Sequence, residues 1–181
     1  CTQLDSENKI APASSPYTQR LNKIAKQLGD NINGAPVNYK VYLTKDVNAW
    51  AMANGCVRVY SGLMDLMNDD EVRGVVGHEM GHVVNYAYQL YEREDWVKAF
   101  GSITQPYRED YRPVPFSKKY VRHIEGWYAQ KHPDEDFAET FAVWLTPRSP
   151  WRRQYKGWPA MRKLRYVDRM ARTLATVEPI V

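Results

Sequence analysis

The apolar residues in the first quarter of the chain follow two different periods. Over residues 17–29 they recur at helical spacing, and Gly29 can end a helix there. From residue 37 to residue 43 apolar and polar positions alternate, which is the period of a half-buried strand. The pattern therefore predicts a helix followed by a strand.

A β-hairpin is predicted next. The dipeptide Asn54-Gly55 favours a two-residue turn, and strand-like runs flank it at residues 49–53 and 56–60. Together with the preceding strand, the hairpin predicts a small antiparallel sheet.

The strongest helical pattern begins after Asn68. This residue can cap a helix, and an acid three residues later completes a capping box. Apolar residues then recur at helical spacing to about residue 90, although Gly74, Gly77 and Gly81 each weaken a helix by about 1 kcal/mol relative to alanine. The glycines predict close approach of a neighbouring helix or of the backbone around a metal site.

The C-terminal half is predicted to be helical apart from one loop. Residues 101–117 hold three prolines without a period and predict a loop over a cleft, whereas residues 118–131 predict a helix. From residue 147 to residue 181, basic residues accompany an apolar face. That pattern is typical of an amphipathic helix closing a domain, or of contact with anionic lipid or cell-wall polymer.

Length and composition limit the class of protein. The 181 residues suffice for one domain, which we predict to span residues 17–181 in an α+β fold with a mostly helical remainder. Residues 1–16 are polar and contain Ser and Pro, which predicts a flexible tether. No stretch approaches the roughly 18 apolar residues of a membrane span. The net charge of +4 is too small to predict a nucleic-acid partner.

The residues with metal chemistry lie in the long helix. In His78-Glu79-x-x-His82 the two histidines are one turn apart on one helical face, where both can bind one metal ion. Glu79 can then reach a water on that metal as a general base. The alternative is a pair of structural histidines in a buried helix.

A catalytic zinc site needs a third protein ligand. A histidine six residues after His82 is ruled out, because that position holds Tyr88. A glutamate from a later helix fits better: Pro133 and several acids suit a helix N-terminus, and Glu135 and Glu139 fall one turn apart. We expect Glu135 to bind the metal and Glu139 to accept a hydrogen bond from a ligand histidine.

Several neighbouring residues have open or minor roles. His123 could be a ligand, a proton donor or structural, and Tyr120 and Tyr128 are candidates for a hydroxyl that stabilises an oxyanion. The acids on either side of the third ligand, Asp134 and Asp136, are expected to matter little, because a helix turns them about 100° from the metal-facing position.

These motifs resemble those of the gluzincin metallopeptidases, on the strength of His78-Glu79-x-x-His82 and Glu135-x-x-Ala138-Glu139. Within that group the chain resembles HtpX-type membrane-associated peptidases from about residue 21 to residue 145, through Val47-Asn48-Ala49-Trp50, Gly62-Leu63-Met64 and Asn68-Asp69-Asp70-Glu71. The stretch from His132 to Ala142 is also similar to bacterial zinc metallopeptidases with little assigned function. Two features depart from the HtpX pattern: Glu139 stands where Asp is more usual, and no His-Pro…Arg segment matches near the C-terminus.

The resemblance implies a zincin-like fold with one Zn²⁺ ion and a metalloendopeptidase that cleaves polypeptides of the cell envelope, with Glu79 as general base. It also implies that Asn48, Ala49 and Trp50 form an edge strand that binds an extended substrate by strand addition. Two other functions stay open: a non-catalytic, zinc-stabilised envelope scaffold or chaperone, and a zinc amidase acting on peptidoglycan.

The two cysteines bear on location. Cys1 followed by a polar tether is typical of a mature bacterial lipoprotein, which predicts a lipidated Cys1 and membrane attachment on the periplasmic side of the envelope. If Cys1 carries no lipid, a disulfide with Cys56 can form. There is no CxxC motif, which excludes a cysteine zinc site.

Overall fold

The computed structural model describes residues 1–180. Its helices are α1 (Thr2–Glu7), α2 (Pro16–Leu28), α3 (Ser61–Leu66), α4 (Asp69–Ala87), α5 (Glu94–Phe100), α6 (Pro133–Leu145), α7 (Trp151–Gln154) and α8 (Met161–Leu174). Its strands are β1 (Asn31–Ile32), β2 (Ala35–Pro36), β3 (Asn38–Tyr42), β4 (Ala49–Ala51) and β5 (Cys56–Tyr60). Short 3₁₀ turns lie at Leu90–Glu92 and Tyr128–Gln130.

The strands form two small sheets. β1 and β2 pair antiparallel, and a three-stranded sheet has the order β3-β5-β4. The predicted hairpin is present as β4 and β5, which are antiparallel, but β3 pairs parallel with β5. The chain passes from β3 to the far edge before the hairpin returns it to the centre. The predicted α+β class is confirmed, while the larger sheet is mixed rather than antiparallel.

The long helix α4 begins at the cap that the sequence predicted. The side chain of Asn68 accepts hydrogen bonds from the first turn of α4, and Glu71 completes the capping box. The prediction of a helix over 118–131 is wrong, because those residues contain only a 3₁₀ turn. Gly126 (φ 79°) and Trp127 (φ 53°) lie in the left-handed region, which interrupts an α-helix.

The close helix approach predicted from the glycines is present between α4 and α6. A Cβ atom at Gly81 would lie 2.7 Å from the Cα atom of Ala138, and one at Gly77 would lie 3.6 Å from the Cβ atom of Ala142. Small residues on both helices thus let their backbones approach, and this contact brings the acids of α6 to the histidines of α4.

The amphipathic helix predicted near the C-terminus is α8, which packs on α5 and α6. Its apolar face is buried, and Lys163 extends inward from it to place Nζ 2.5 Å from Oδ2 of Asp136 on α6. The carboxylate of Asp136 therefore forms a buried ion pair and is not directed toward the predicted metal ligands. Among residues 1–180, no helix combines the length and apolar character needed to cross a bilayer.

The N-terminal segment differs from its prediction. Residues predicted to form a flexible tether include α1, whose Asp5 pairs with Arg58 at 2.8 Å and with Lys40 at 2.7 Å. Further along, Ile10 bridges to Tyr42. The tether prediction is wrong here, because one buried acid–base pair and a strand-like contact hold the segment to the sheet.

The cysteine at the start of that segment forms a disulfide with Cys56 on β5. The thioether of a lipid anchor requires the same Cys1 sulfur, so the disulfide and the lipid anchor are mutually exclusive states of Cys1. The second option from the sequence, the disulfide, is observed instead.

Replacing Asp5 by Ala should lower the free energy of unfolding by about 3–5 kcal/mol, because it leaves the buried guanidinium of Arg58 without its carboxylate. Arg58 is fully buried and also holds the pKa of Asp5 well below its usual range. Since the folded pKa is the lower one, this contribution is present above the unfolded pKa of about 3.9 and is lost as pH falls through the folded value. Urea denaturation measures the effect, with Glu7→Ala on the same helix as the control. Equal stability of the two variants would contradict the contact.

Candidate metal centre

Three side chains converge between α4 and α6. Nε2 of His78 and Nε2 of His82 lie 3.0 Å apart, as their spacing on one helical face requires. Oε2 of Glu135, from the first turn of α6, lies 3.0 Å from the first nitrogen and 3.5 Å from the second. The predicted ligand set is thus brought together, and its atoms could hold a metal ion.

His78 is oriented by the second acid of α6. Its Nδ1 lies 2.8 Å from Oε1 of Glu139, which is fully buried. The other oxygen of Glu139 accepts a hydrogen bond from the backbone N–H of Ile124 at 2.8 Å. Glu139 therefore occupies the position that the sequence predicted for it, against a histidine of the centre.

His82 is oriented by an acid that the sequence reasoning dismissed. Its Nδ1 lies 3.1 Å from Oδ2 of Asp134, within ion-pair distance although the angle falls short of a hydrogen bond. Asn85 donates to Oδ1 of Asp134 at 2.8 Å and Tyr86 to Oδ2 at 2.5 Å. The premise that a helix turns Asp134 away from the centre does not hold, because the first turn of α6 lies along α4 and two consecutive acids reach it.

The donor atoms suit a divalent cation. With Nδ1 of each imidazole against a carboxylate, each ring is assigned its proton there and presents the Nε2 lone pair. Two lone pairs then face Oε2 of Glu135, a buried oxygen without a hydrogen-bond partner. Ligands in a tetrahedral zinc site at about 2.0–2.1 Å are about 3.3 Å apart, close to the separations of 3.0–3.5 Å here. A cation bound between these three atoms would remove the repulsion between the two nitrogen lone pairs and the carboxylate oxygen.

When no metal is bound, the charges of the histidines and carboxylates at this centre shift one another's pKa values. Burial lowers the pKa of His78, but the adjacent carboxylates of Glu135 and Glu139 outweigh it and raise that pKa to about 9. Burial raises the pKa of Glu135, and the two histidines outweigh it and bring that pKa well below its usual range. Metal binding must therefore displace protons from this centre.

Glu79 lies beside the three converging side chains. It follows His78 on α4, is nearly buried, and has its pKa raised by burial, with His78 and His82 acting in the opposite direction. A carboxylate with a raised pKa next to a metal position is suited to accept a proton.

The predicted loop over residues 101–117 reaches this centre. Tyr107 donates a hydrogen bond to Oε1 of Glu135 at 2.6 Å, so the other oxygen is the one turned toward the histidines. Tyr128 also lies at the centre, its ring 5.8 Å from that of His78, whereas the ring of Tyr120 lies 4.1 Å from Nζ of Lys163. Sequence reasoning missed Tyr107, since no local pattern connects it to α6.

The remaining histidines lie outside the cluster. Nε2 of His123 is 2.9 Å from the carbonyl oxygen of Gly74, and His132 caps α6 by accepting a hydrogen bond from the N–H of Asp134. Both contacts are structural, and neither residue shares the convergence point of the other two histidines.

The predicted substrate strand is the edge of the three-stranded sheet. Ala49 and Trp50 belong to β4, Asn48 precedes it, and β4 packs against α4. The indole of Trp50 lies 6.0 Å from the ring of Tyr42 and 6.0 Å from the guanidinium of Arg58, on the face of the sheet where α1 packs. The indole of Trp50 is thus engaged within the fold rather than turned toward a substrate.

Replacing Asp134 by Asn should lower metal affinity by about 10–100-fold, as expected when a carboxylate that orients a ligand histidine loses its charge. The affinity can be measured by competition with a chromogenic chelator. Asp110→Asn, an exposed acid in the loop, is the control and should have no effect. An unchanged affinity in the Asp134 variant would show that the contact with His82 does not support the metal.

Two histidines one turn apart on one helix, a glutamate from a second helix and a glutamate after the first histidine define the class of gluzincin metallopeptidases. Residues 16–90 match peptidase family M48. This segment is thus similar to peptidase family M48, and the predicted resemblance to HtpX-type metallopeptidases is confirmed. His78, Glu79 and His82 lie inside the matched segment, whereas Glu135 lies outside it.

Three relatives illustrate the relationship. The chain is 72% identical over 83 residues to metalloprotease YcaL and 69% identical over 83 residues to metalloprotease LoiP, both from Escherichia coli, covering 46% of this chain and 33% of each relative. It is 37% identical over 78 residues to protease HtpX from Thioalkalivibrio sulfidiphilus, covering 41% of this chain and 26% of that protein. The chain thus spans about a third of the length of the first two curated relatives that it matches.

Proposed function

We propose that the protein is a zinc-dependent metalloendopeptidase that hydrolyses peptide bonds in proteins of the cell envelope. The observation that carries the proposal is the convergence of Nε2 of His78, Nε2 of His82 and Oε2 of Glu135 beside the carboxylate of Glu79. These three residues would hold one Zn²⁺ ion, with Glu139 and Asp134 orienting the histidines.

A zinc ion at this position supplies a Lewis acid that acidifies a water and polarises a carbonyl. Glu79 accepts the proton of the attacking water and then delivers it to the leaving amine. Burial raises the pKa of Glu79, which makes this carboxylate a stronger proton acceptor.

Substrate binding is proposed at the backbone of Asn48, Ala49 and Trp50. β4 is an edge strand, and its outer N–H and C=O groups can pair with an extended polypeptide. Since the indole of Trp50 faces α1, selectivity there would come from side chains other than this one.

The envelope location is supported by the disulfide between Cys1 and Cys56. Disulfides persist in oxidising compartments such as the bacterial periplasm and are rare in the cytosol. A periplasmic position would also place the enzyme beside envelope proteins as substrates.

The proposal is tested by metal analysis joined to cleavage assays on casein and on peptidoglycan, each with and without a chelator. We expect about one zinc per chain and casein cleavage that stops on chelation and returns with zinc. Zinc without hydrolysis of either substrate would favour the scaffold or chaperone. Release of peptides from peptidoglycan with intact casein would favour the amidase.

A further inference from the structure

We propose that the groove between α5 and α8 binds a phosphoryl group, either on a small molecule or on a lipid headgroup. The groove encloses about 430 Å³ and is distinct from the metal centre. Its charged lining consists of four basic side chains, Arg93, Lys98, Arg162 and Arg169, and one acid, Asp95. Four positive charges and one negative charge leave an excess of three positive charges in one concave surface.

Most of this positive charge lacks an internal partner. Arg93 lies 3.2 Å from Asp95, and the two neutralise each other. Within residues 1–180, Lys98, Arg162 and Arg169 have no carboxylate within ion-pair distance. Like charges gathered in a cleft repel one another and focus a positive potential, which an anion relieves.

The walls of the groove are preformed. Trp96 and Phe100 of α5 are buried, and the Phe100 ring lies 5.7 Å from the ring of Tyr166 on α8 in an edge-to-face contact. This aromatic contact fixes the spacing of the two helices, so the basic side chains project from rigid supports. Tyr166 and Met170 also line the groove, which gives it an apolar base beneath the charged rim.

The charge and the donor chemistry favour a phosphoryl group over a single carboxylate. Two guanidinium groups offer paired N–H donors that match phosphate oxygens, and the ammonium of Lys98 adds a third cation. A phosphate monoester or diphosphate carries about two or more negative charges, close to the excess in the groove. The apolar base suits a ligand whose phosphate is attached to a less polar group.

The test is titration calorimetry of the zinc-loaded protein with inorganic pyrophosphate, alongside sedimentation with vesicles of phosphatidylcholine with and without phosphatidic acid. The double variant Arg162→Gln/Arg169→Gln removes two groove cations. Arg165→Gln/Arg172→Gln removes the same charge from exposed positions of α8 outside the groove. Each charged hydrogen bond lost should cost about tenfold in affinity.

We expect the groove variant to lose at least tenfold in affinity for pyrophosphate or for phosphatidic acid vesicles, and the control to change less than twofold. Pyrophosphate binding would identify a small phosphorylated molecule, and binding to acidic vesicles alone would identify a lipid headgroup. Equal losses in both variants, equal affinity for malonate, or no binding by the unmodified protein would overturn the proposal. Pyrophosphate that binds at the zinc would keep its affinity in both double variants. That result would place the ligand outside the groove and would overturn the proposal. None of these outcomes depends on peptide hydrolysis.

Discussion

The Glu79→Gln variant should retain its zinc and lose its hydrolytic activity. Glutamine has the shape of glutamate but cannot accept and return a proton, and general acid–base catalysis typically contributes about 10²–10⁴-fold to a rate. Since Glu79 is not one of the three residues that supply ligand atoms, the substitution should leave metal binding unchanged. Casein cleavage and zinc content measured on one preparation check both halves of the expectation.

The matched control for this variant is Glu125→Gln, the same change at an exposed position. It should leave cleavage and zinc content unchanged. Loss of zinc in the Glu79 variant would mean that this carboxylate is a ligand, and full activity would mean that another group is the base. Either result would refute the assigned role.

Replacing Glu135 by Ala should lower zinc affinity more than any other change in α6, because only two protein ligands would remain. Glu139→Ala should lower it by about 10–100-fold, since that carboxylate contacts His78 and not the metal position. The order of the two losses, measured by zinc competition, separates a ligand from a residue that orients one.

His132 and His123 supply the controls for this ligand assignment. Both have structural contacts away from the centre, so His132→Ala and His123→Ala should retain zinc. If either histidine proved essential while Glu135 proved dispensable, the centre would not be a gluzincin site, and the proposed peptidase function would lose its main support.

The proposed anion groove and the metal centre are built from different parts of the chain. The groove uses α5 and the outer face of α8, whereas the centre uses α4 and the first turns of α6. The buried pair of Lys163 and Asp136 is the direct link, because it ties α8 to the residue after Glu135. Loss of this pair should therefore lower the stability of the fold and disturb the placement of Glu135. Asp136 is thus more important than its sequence position indicated.

Local sequence determined the parts of this protein that depend on near neighbours. The helical period alone places His78 and His82 on one face, Asn68 and Glu71 cap α4, and Asn54-Gly55 lies in the loop of the hairpin. The same helical period predicted that Glu135 and Glu139 lie at the centre, because two acids one turn apart on a helix can reach one site. The roles of these residues in binding metal and in catalysis stay predictions until the variants are measured.

Tertiary structure decided everything that depends on how distant segments pack. The approach of α6 at Gly81 set which face of its first turn meets α4, and so brought Asp134 to His82 against the expectation from helical geometry. The docking of α1 on Arg58 and the pairing of Cys1 with Cys56 likewise join residues more than fifty positions apart. No local period encodes such contacts, since they arise from the shapes and charges of surfaces that exist only once the chain has folded.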